Sequence, residues 1–342
     1  MMFLLKRLLL IGLILALAGG LIFYYSDIAQ AIQTFWATRE GERALARQDW
    51  GGAMTLYEEA ARDNPDDAAI AVALAKIYHR QATYYAPEGY LDYAPPASSG
   101  LKTARKTVET LRHDAQTLFL RAIHLKPDVI DYQLAYGRFL QDDPIRRPEA
   151  IPLYRALLAK NPRNADILAA LGDLYKAAGD NRDEDRPEVK NWLYDWATYY
   201  YRLSLKFKPA QFQPRFSLGV IYQVRQTFST AERDQWRRKA AREYCNALKL
   251  TPDSSETRYN LGLILVDMRA MDAGFRQLAR AVNILTDKNR IPEAQQVAQQ
   301  VQFVKNSVFY QDPTLQTRFG DLDPWLQECL QAGEKPQKPA TP

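Results

Sequence analysis

Apolar residues follow two different patterns along this chain. Residues 8–25 read LLLIGLILALAGGLIFYY, an apolar run with no charged residue. From about residue 34 onward, apolar and small residues recur instead at spacings of three and four, the period of a helix with one buried face. The sequence therefore predicts an all-α protein in which one apolar segment precedes a series of amphipathic helices.

The amphipathic part contains an internal repeat. In its first copy, Ala53, Tyr57, Ala60 and Pro65 are spaced by four, three and five residues, and Gly41 lies 12 residues before Ala53. Later copies place the same kinds of residue at Ala115-Phe119-Ala122-Pro127, Ala150-Tyr154-Leu157-Pro162, Ala197-Tyr201-Ser204-Pro209, Ala240-Tyr244-Ala247-Pro252 and, without the proline, Gly274-Leu278-Ala281. Ten residues after each of the five prolines lies a small residue: Ala75, Gly137, Gly172, Gly219 and Gly262.

This pattern resembles the tetratricopeptide repeat, a pair of antiparallel helices of about 34 residues. The resemblance covers about residues 34–286 and implies a right-handed α-solenoid of about six helix pairs over 26–290. A small residue in the first helix of a pair would let the second helix approach closely, and proline would end the second helix. Residues 291–330 are predicted to form a capping helix and a further segment, and residues 331–342 a disordered tail.

Three copies of the repeat are longer than the first by nine residues or more. The additional residues fall at about 82–109, 180–192 and 226–236, in each case between the two helices of a pair. In a solenoid these turns share one edge, and insertions on one edge often mark a binding surface. The same residues are equally compatible with longer helices or tolerated surface loops.

The apolar run 8–25 predicts a transmembrane signal anchor. Eighteen residues of helix span about 27 Å at about 1.5 Å per residue, enough for a thin hydrocarbon core. Lys6 and Arg7 would hold residues 1–7 in the cytoplasm, so the solenoid would face the periplasm or an equivalent lumen from the inner membrane. Cleavage near Ala16-Leu17-Ala18 is the alternative, because that tripeptide has the form a signal peptidase recognises.

The resemblance also implies a partner-binding groove lined by the first helices of the pairs. Its predicted residues are Lys76, His79, Arg80, Arg138, Phe216, Val220, Tyr259 and Leu263. This lining is polar in the early repeats and apolar in the late ones, so the late part would suit an amphipathic helix or an extended peptide. Alternatively, the carboxy-terminal part of the chain folds back and fills it.

Aromatic residues are concentrated in two places outside the repeat positions. The insertion near residues 83–100 contains Tyr84, Tyr85, Tyr90 and Tyr93, a composition typical of interfaces, although packing on the solenoid edge would explain it too. The range 192–201 contains a second group of Trp and Tyr residues, some of which must be core because Tyr201 is a repeat position.

Catalytic chemistry has little support in the sequence. His79, His113 and His124 do not have the spacing of metal ligands, and we expect no cofactor, no metal site and no enzyme activity. The formal net charge of +5 is small for a chain of 342 residues, which disfavours a nucleic-acid partner. We expect Cys245 as a partly buried thiol and Cys329 as an exposed one, with a disulfide between them as the alternative that an oxidising compartment would permit.

The sequence thus predicts a membrane-tethered scaffold or assembly factor for an envelope or membrane complex. Its partners would be membrane or envelope proteins, with the bilayer contacted through residues 8–25, and a homo-oligomer is compatible with the sequence. A stable structural subunit of such a complex and a cell-wall or polysaccharide binding module remain as alternatives.

Overall fold

The computed structural model describes a chain of helices. The described residues are 32, 34–47, 49–85, 108–143, 145–181, 186–225, 227, 229–306 and 322–332, and none of them belongs to a strand. The helices are α1 (34–46), α2 (Trp50–Asp63), α3 (Ala68–Tyr85), α4 (Val108–Leu125), α5 (Ile130–Asp142), α6 (Arg147–Lys160), α7 (Ala165–Asp180), α8 (Pro187–Phe207), α9 (Phe212–Val224), α10 (Thr230–Leu250), α11 (Ser255–Asp267), α12 (Met271–Asp287), α13 (Ile291–Lys305) and α14 (Pro324–Ala332). The prediction of an all-α chain is confirmed for these ranges.

The predicted anchor at 8–25 lies outside the described residues. Among the helices that the structure does describe, none combines the length and the apolar character needed to cross a membrane. The predicted tail at 331–342 is described at two residues, Gln331 and Ala332, which belong to α14.

The chain divides into two compact units, Met1–Tyr154 and Arg155–Pro342, with the boundary inside α6. In the first unit, α3 packs against both α2 and α4, and α4 packs against α5. In the second unit, the pairs α7–α8, α9–α10 and α11–α12 make extensive contacts, and α13 packs on α12. This is the pairing that the repeat pattern predicts.

The repeat positions form the core of each pair. On α8, Ala197 and Tyr201 are fully buried, and on α10 so are Ala240 and Tyr244. Ser204 stands where four of the other five copies have alanine, and its buried hydroxyl donates to the Ala165 carbonyl at 2.7 Å. Because a buried hydroxyl without a partner is costly, this bond explains how the substitution is accommodated.

Where the small residue of a first helix is glycine, it lies against the large side chain of its second helix, which is tyrosine in four pairs and Leu278 in the last. A Cβ atom built on Gly172 would stand 2.6 Å from Cδ1 of Tyr201, closer than side-chain atoms pack. A Cβ atom on Gly219 would stand 2.5 Å from Cε1 of Tyr244. The predicted role of the small residue is therefore confirmed in both pairs.

Most of the additional residues in the fourth and fifth repeats lengthen a helix. α8 and α10 each have 21 residues, whereas α2 has 14. Pro187 begins α8, where a missing N–H costs nothing, and the Ser229 hydroxyl caps α10 by accepting from the Glu232 N–H. Each of these helices therefore begins about two turns earlier than its counterpart in the first repeat.

The expectation of two free thiols is wrong. Cys245 of α10 and Cys329 of α14 form a disulfide, with 84 residues between them in sequence and 6.0 Å between their Cα atoms. α14 packs on α10, and its residues Leu326 and Leu330 are buried in the same core cluster as Cys245. The separation of the two cysteines in sequence does not indicate that they pair, because their contact requires α14 to pack on α10.

Candidate functional site

The predicted groove residues of the first unit are polar, and two of them, Arg80 and His79, contact neighbouring side chains. Lys76 and Arg138 are exposed, whereas the Arg80 guanidinium lies over the Trp50 ring at 4.2 Å from its centroid. His79 Nε2 lies 2.8 Å from Asp142 Oδ2, which ties α3 to α5. His79 therefore has a structural contact of its own within the first unit.

The predicted groove residues of the second unit are more buried than the sequence suggested. Phe216 is buried and stacks on Phe212, with its ring also 5.9 Å from that of Tyr244. Tyr259 and Leu263 are partly buried against the cluster formed by α12 and α13, which includes Ala294 and Val297. Val220 is partly buried as well. The apolar part of the predicted groove thus serves largely to pack the second unit.

The tyrosines of the insertion cannot be placed at a site. Tyr84 and Tyr85 end α3, but their side chains lie outside the described residues, as do Tyr90 and Tyr93 altogether. Their predicted role in binding stays a prediction.

Five aromatic rings form a continuous cluster on the second unit, here called the aromatic cluster: Tyr175, Trp192, Trp196, Tyr199 and Tyr200. Tyr175 of α7 stacks on Trp196 and Tyr200 of α8, with centroid distances of 6.0 and 5.5 Å. The Arg155 guanidinium donates to the Tyr175 hydroxyl at 3.2 Å. The contacts between rings fix their orientation before any partner arrives.

Three of these rings face solvent. Trp192 is 56% exposed, Tyr199 54% and Trp196 39%, although Tyr194 and Tyr201 on the same helix are buried in the core. Exposed aromatic residues that adjoin one another are unusual on a monomer, and Trp and Tyr are the residues that most often dominate binding energy. The sequence could identify the aromatic content of 192–201 but not the division into buried and exposed rings.

A cavity of about 990 Å³ lies at the edge of the second unit where the long inter-helix turns meet. Its walls come from the beginning of α8, the end of α9, the beginning of α10 and the end of α11, and they include Asn191, Tyr222, Arg225 and Trp236. Two of the three predicted insertions, 180–192 and 226–236, thus contribute to one cavity. These two insertions, which the sequence predicted to lie on one edge of the solenoid, therefore contribute residues to the same cavity.

The cavity carries charges of both signs. Its lining residues include the acidic Glu188, Glu232 and Asp267 and the basic Arg225, Arg233 and Arg237. Partial burial raises the pKa of Asp267, an effect that the nearby Arg237 charge opposes. Glu232 is already engaged, because it accepts a hydrogen bond from the Thr227 hydroxyl at the start of α10. The arrangement suits recognition of a charged ligand rather than covalent chemistry.

The basic and aromatic residues around Trp236 were missed at the level of sequence. The run Gln235-Trp236-Arg237-Arg238-Lys239 interleaves an indole with three cations, which was the available signal. Arg225 reaches the same ring from the end of α9, and the charge of Arg202 on α8 acts on Tyr222 and Lys239; these are tertiary features that the run alone does not reveal.

Comparison with known proteins supports the resemblance to tetratricopeptide repeats. The family model described as tetratricopeptide repeat matches residues 38–99 and 146–183. No curated protein is significantly similar in sequence to the chain.

Several solved structures share the helical-repeat fold. PilW, a widely conserved type IV pilus biogenesis factor, is 15% identical with a TM-score of 0.51, over 78% of this chain and 98% of PilW. Human IFIT1 in complex with m7Gppp-AAAA is 14% identical with a TM-score of 0.52, over 77% of this chain and 55% of IFIT1. At these identities the likeness shows the fold alone.

Proposed function

We propose that this protein is a non-catalytic, membrane-tethered interaction scaffold that assists the assembly of an envelope or membrane complex. Helical repeats of this type present rigid surfaces to protein partners. In this proposal residues 8–25 anchor the chain in the inner membrane, residues 1–7 lie in the cytoplasm, and the repeats face the periplasm or an equivalent lumen. The anchor would raise the effective concentration of partners held in the same membrane.

The aromatic cluster is the observation that carries the proposed interaction. Trp192, Trp196 and Tyr199 present apolar area that is already ordered by ring contacts, so little side-chain entropy would be lost when a partner covers it. Arg155 at its border adds a donor that is held in place by Tyr175. An aromatic surface with an arginine rim is the usual composition of a protein-binding hot spot.

The disulfide supports the proposed compartment. Disulfides persist in the periplasm, the secretory lumen and the extracellular space and are rare in a reducing cytoplasm. Both cysteines of the chain take part in the Cys245–Cys329 bond. This reasoning supports the proposed extracytoplasmic location of the second unit and agrees with the orientation that Lys6 and Arg7 predict.

The similarity to PilW is compatible with a role in assembly, but only as an analogy of fold. A stable subunit of one complex would use the same surface. The two roles differ in stoichiometry: a subunit co-purifies at a constant ratio, whereas an assembly factor is present in less than equimolar amount.

The aromatic cluster can be tested by comparing variants of the full chain in native membranes. Trp192→Ser with Tyr199→Ser should reduce recovery of cross-linked partner at least about tenfold, as expected for hot-spot residues. Phe303→Ser is the matched control, because Phe303 is 73% exposed on α13 but lies outside the aromatic cluster. Equal recovery from all three proteins would contradict the proposed site, and retention on purified wall polymer without any protein partner would favour polysaccharide binding instead.

A further inference from the structure

Two cations of the second unit share one indole ring. The Arg225 guanidinium carbon lies 4.6 Å from the centroid of the Trp236 ring, and the Lys239 ammonium lies 3.8 Å from it. Tyr222 stacks on the same ring at 5.5 Å. Contacts of this kind hold flexible basic side chains in defined positions at the mouth of the cavity, whose wall includes Tyr222, Arg225 and Trp236.

A third cation approaches from α8. The positive charge of Arg202 acts on Tyr222, where it partly offsets the effect of burial, which raises the pKa of that tyrosine. Burial lowers the pKa of Lys239, and the positive charges of Arg202 and Arg225 lower it further. The three cations therefore repel one another in the unliganded protein, and a bound anion would relieve that repulsion.

Among the described residues, one of these three cations, Arg225, is paired with a carboxylate, and Glu188, Glu232 and Asp267 also line the adjoining cavity. Asp195 pairs with Arg225 at 2.7 Å, but its side chain is mostly exposed, and Glu243 is engaged by Arg215 at 3.3 Å. Across the ranges that the structure describes, neither Arg202 nor Lys239 has an acidic side chain within ion-pair distance. The three cations and the paired carboxylate of Asp195 together carry a formal charge of +2, and the charged residues of the cavity lining are not included in that sum.

We propose that Arg202, Arg225 and Lys239, arranged around Trp236, bind a phosphate group carried by a phospholipid headgroup or by a soluble phosphorylated molecule. A phosphate monoester carries a charge of about −1.5 to −2 at pH 7, and a phosphodiester headgroup carries about −1, so either would offset positive charge of this group. Guanidinium groups donate two parallel hydrogen bonds to such an anion. The adjoining cavity leaves room for the remainder of the molecule that bears the phosphate. The site is separate from the aromatic cluster and does not depend on the function proposed above.

The first arm of the test uses the full chain in neutral detergent with inorganic pyrophosphate as the probe, measured by titration calorimetry. Arg202→Gln with Lys239→Gln should weaken binding at least about tenfold, because hydrogen bonds to charged groups are the strong ones. Lys160→Gln with Arg163→Gln removes the same charge from exposed positions of the same unit and should change binding less than about twofold. The charge-preserving pair Arg202→Lys and Lys239→Arg should retain most of the binding.

The second arm places the full chain in nanodiscs of phosphatidylcholine with or without phosphatidylglycerol, and follows hydrogen exchange in residues 198–206 and 235–242. If these amides are protected from exchange only when phosphatidylglycerol is present, and the glutamine variant loses that protection, the phosphate belongs to a lipid. If the protein binds pyrophosphate but shows no such protection, the phosphate belongs to a soluble ligand. Lys239→Gln alone serves if the double variant does not fold. Absence of both effects, or equal losses in the Lys160 and Arg163 control, would overturn the proposal.

Discussion

Gly219 and Tyr244 fit together so closely that no side chain can be added at the glycine. A Cβ atom on Gly219 would lie 2.5 Å from Cε1 and 2.6 Å from Cδ1 of the Tyr244 ring, and that ring is fully buried. The contact joins the two helices of the fifth repeat, α9 and α10. It explains why this repeat has a small residue on its first helix and a large aromatic residue on its second.

Replacing Gly219 by alanine should therefore destabilise the second unit. Overpacking of a dense core costs about 1–3 kcal/mol, which outweighs the gain of about 1 kcal/mol that alanine normally brings to a helix. The expected result is a lower free energy of unfolding, measured by urea denaturation of the full chain. An unchanged or higher stability would show that the ring can move aside.

Gly51 offers the matched control for that substitution. It is an exposed helical glycine of α2, and a Cβ atom there would meet nothing closer than Asp49 Oδ1 at 3.9 Å. Gly51→Ala should leave stability unchanged or raise it by up to about 1 kcal/mol.

The disulfide should contribute substantially to the stability of the second unit. It closes a loop with a sequence separation of 84 residues, and crosslinks of that span typically contribute about 2–5 kcal/mol by restricting the unfolded chain. Cys245→Ser with Cys329→Ser should lower stability by that amount. A reducing agent should destabilise the parent protein and leave the double variant unaffected. Equal responses of the two proteins would contradict the bond.

The oxidation state of the two cysteines in living cells tests the proposed compartment. If the second unit lies outside the cytoplasm, both thiols should resist alkylation in freshly lysed cells and react after reduction. A variant lacking residues 1–25 remains in the cytoplasm under this proposal, so its thiols should react at once. If the thiols of the full chain also react before reduction, the protein does not lie in an oxidising compartment.

Stability should fall steeply at alkaline pH. Burial raises the pKa of Tyr244 well above its ordinary value of 10.0, with the charge of Glu256 as a second cause, so the folded protein keeps a proton that the unfolded chain loses. The stabilisation is complete below pH 10 and is lost as pH rises, by about 1.4 kcal/mol per pH unit for each such tyrosine. Tyr244→Phe should reduce the slope of unfolding free energy against pH by about that amount.

Tyr199→Phe is the control for the alkaline experiment. Its side chain is more than half exposed, so its removal should leave the alkaline slope unchanged. A slope that Tyr244→Phe does not alter would show that the Tyr244 ring is accessible to hydroxide in the folded protein.

The repeat could be predicted from sequence because its signal is local and periodic. Ala197, Tyr201, Ala240 and Tyr244 recur at fixed spacing, and each is buried between the helices of its own pair. A contact between neighbours in one repeat requires no knowledge of the rest of the chain. The helix pairs and their core followed directly from that pattern.

The candidate sites depend on contacts between distant segments and could not be predicted in the same way. Phe216 and Tyr259 have groove spacing, yet neighbouring helices bury much of their surface. Cys329 meets Cys245 because α14 returns to α10, and Arg202 meets Tyr222 because α8 lies beside the end of α9. Such convergence becomes visible when the helices are placed in space.

The most direct test of an interaction scaffold is site-specific cross-linking from the aromatic cluster. A photoreactive amino acid at position 192 of the full chain would be activated in native membranes, with position 303 as the exposed control. We expect position 192 to give a covalent product with one defined protein. Position 303 should give little or none of that cross-linked product. The same products from both positions, or none from position 192, would contradict the assignment of the aromatic cluster as a partner-binding surface.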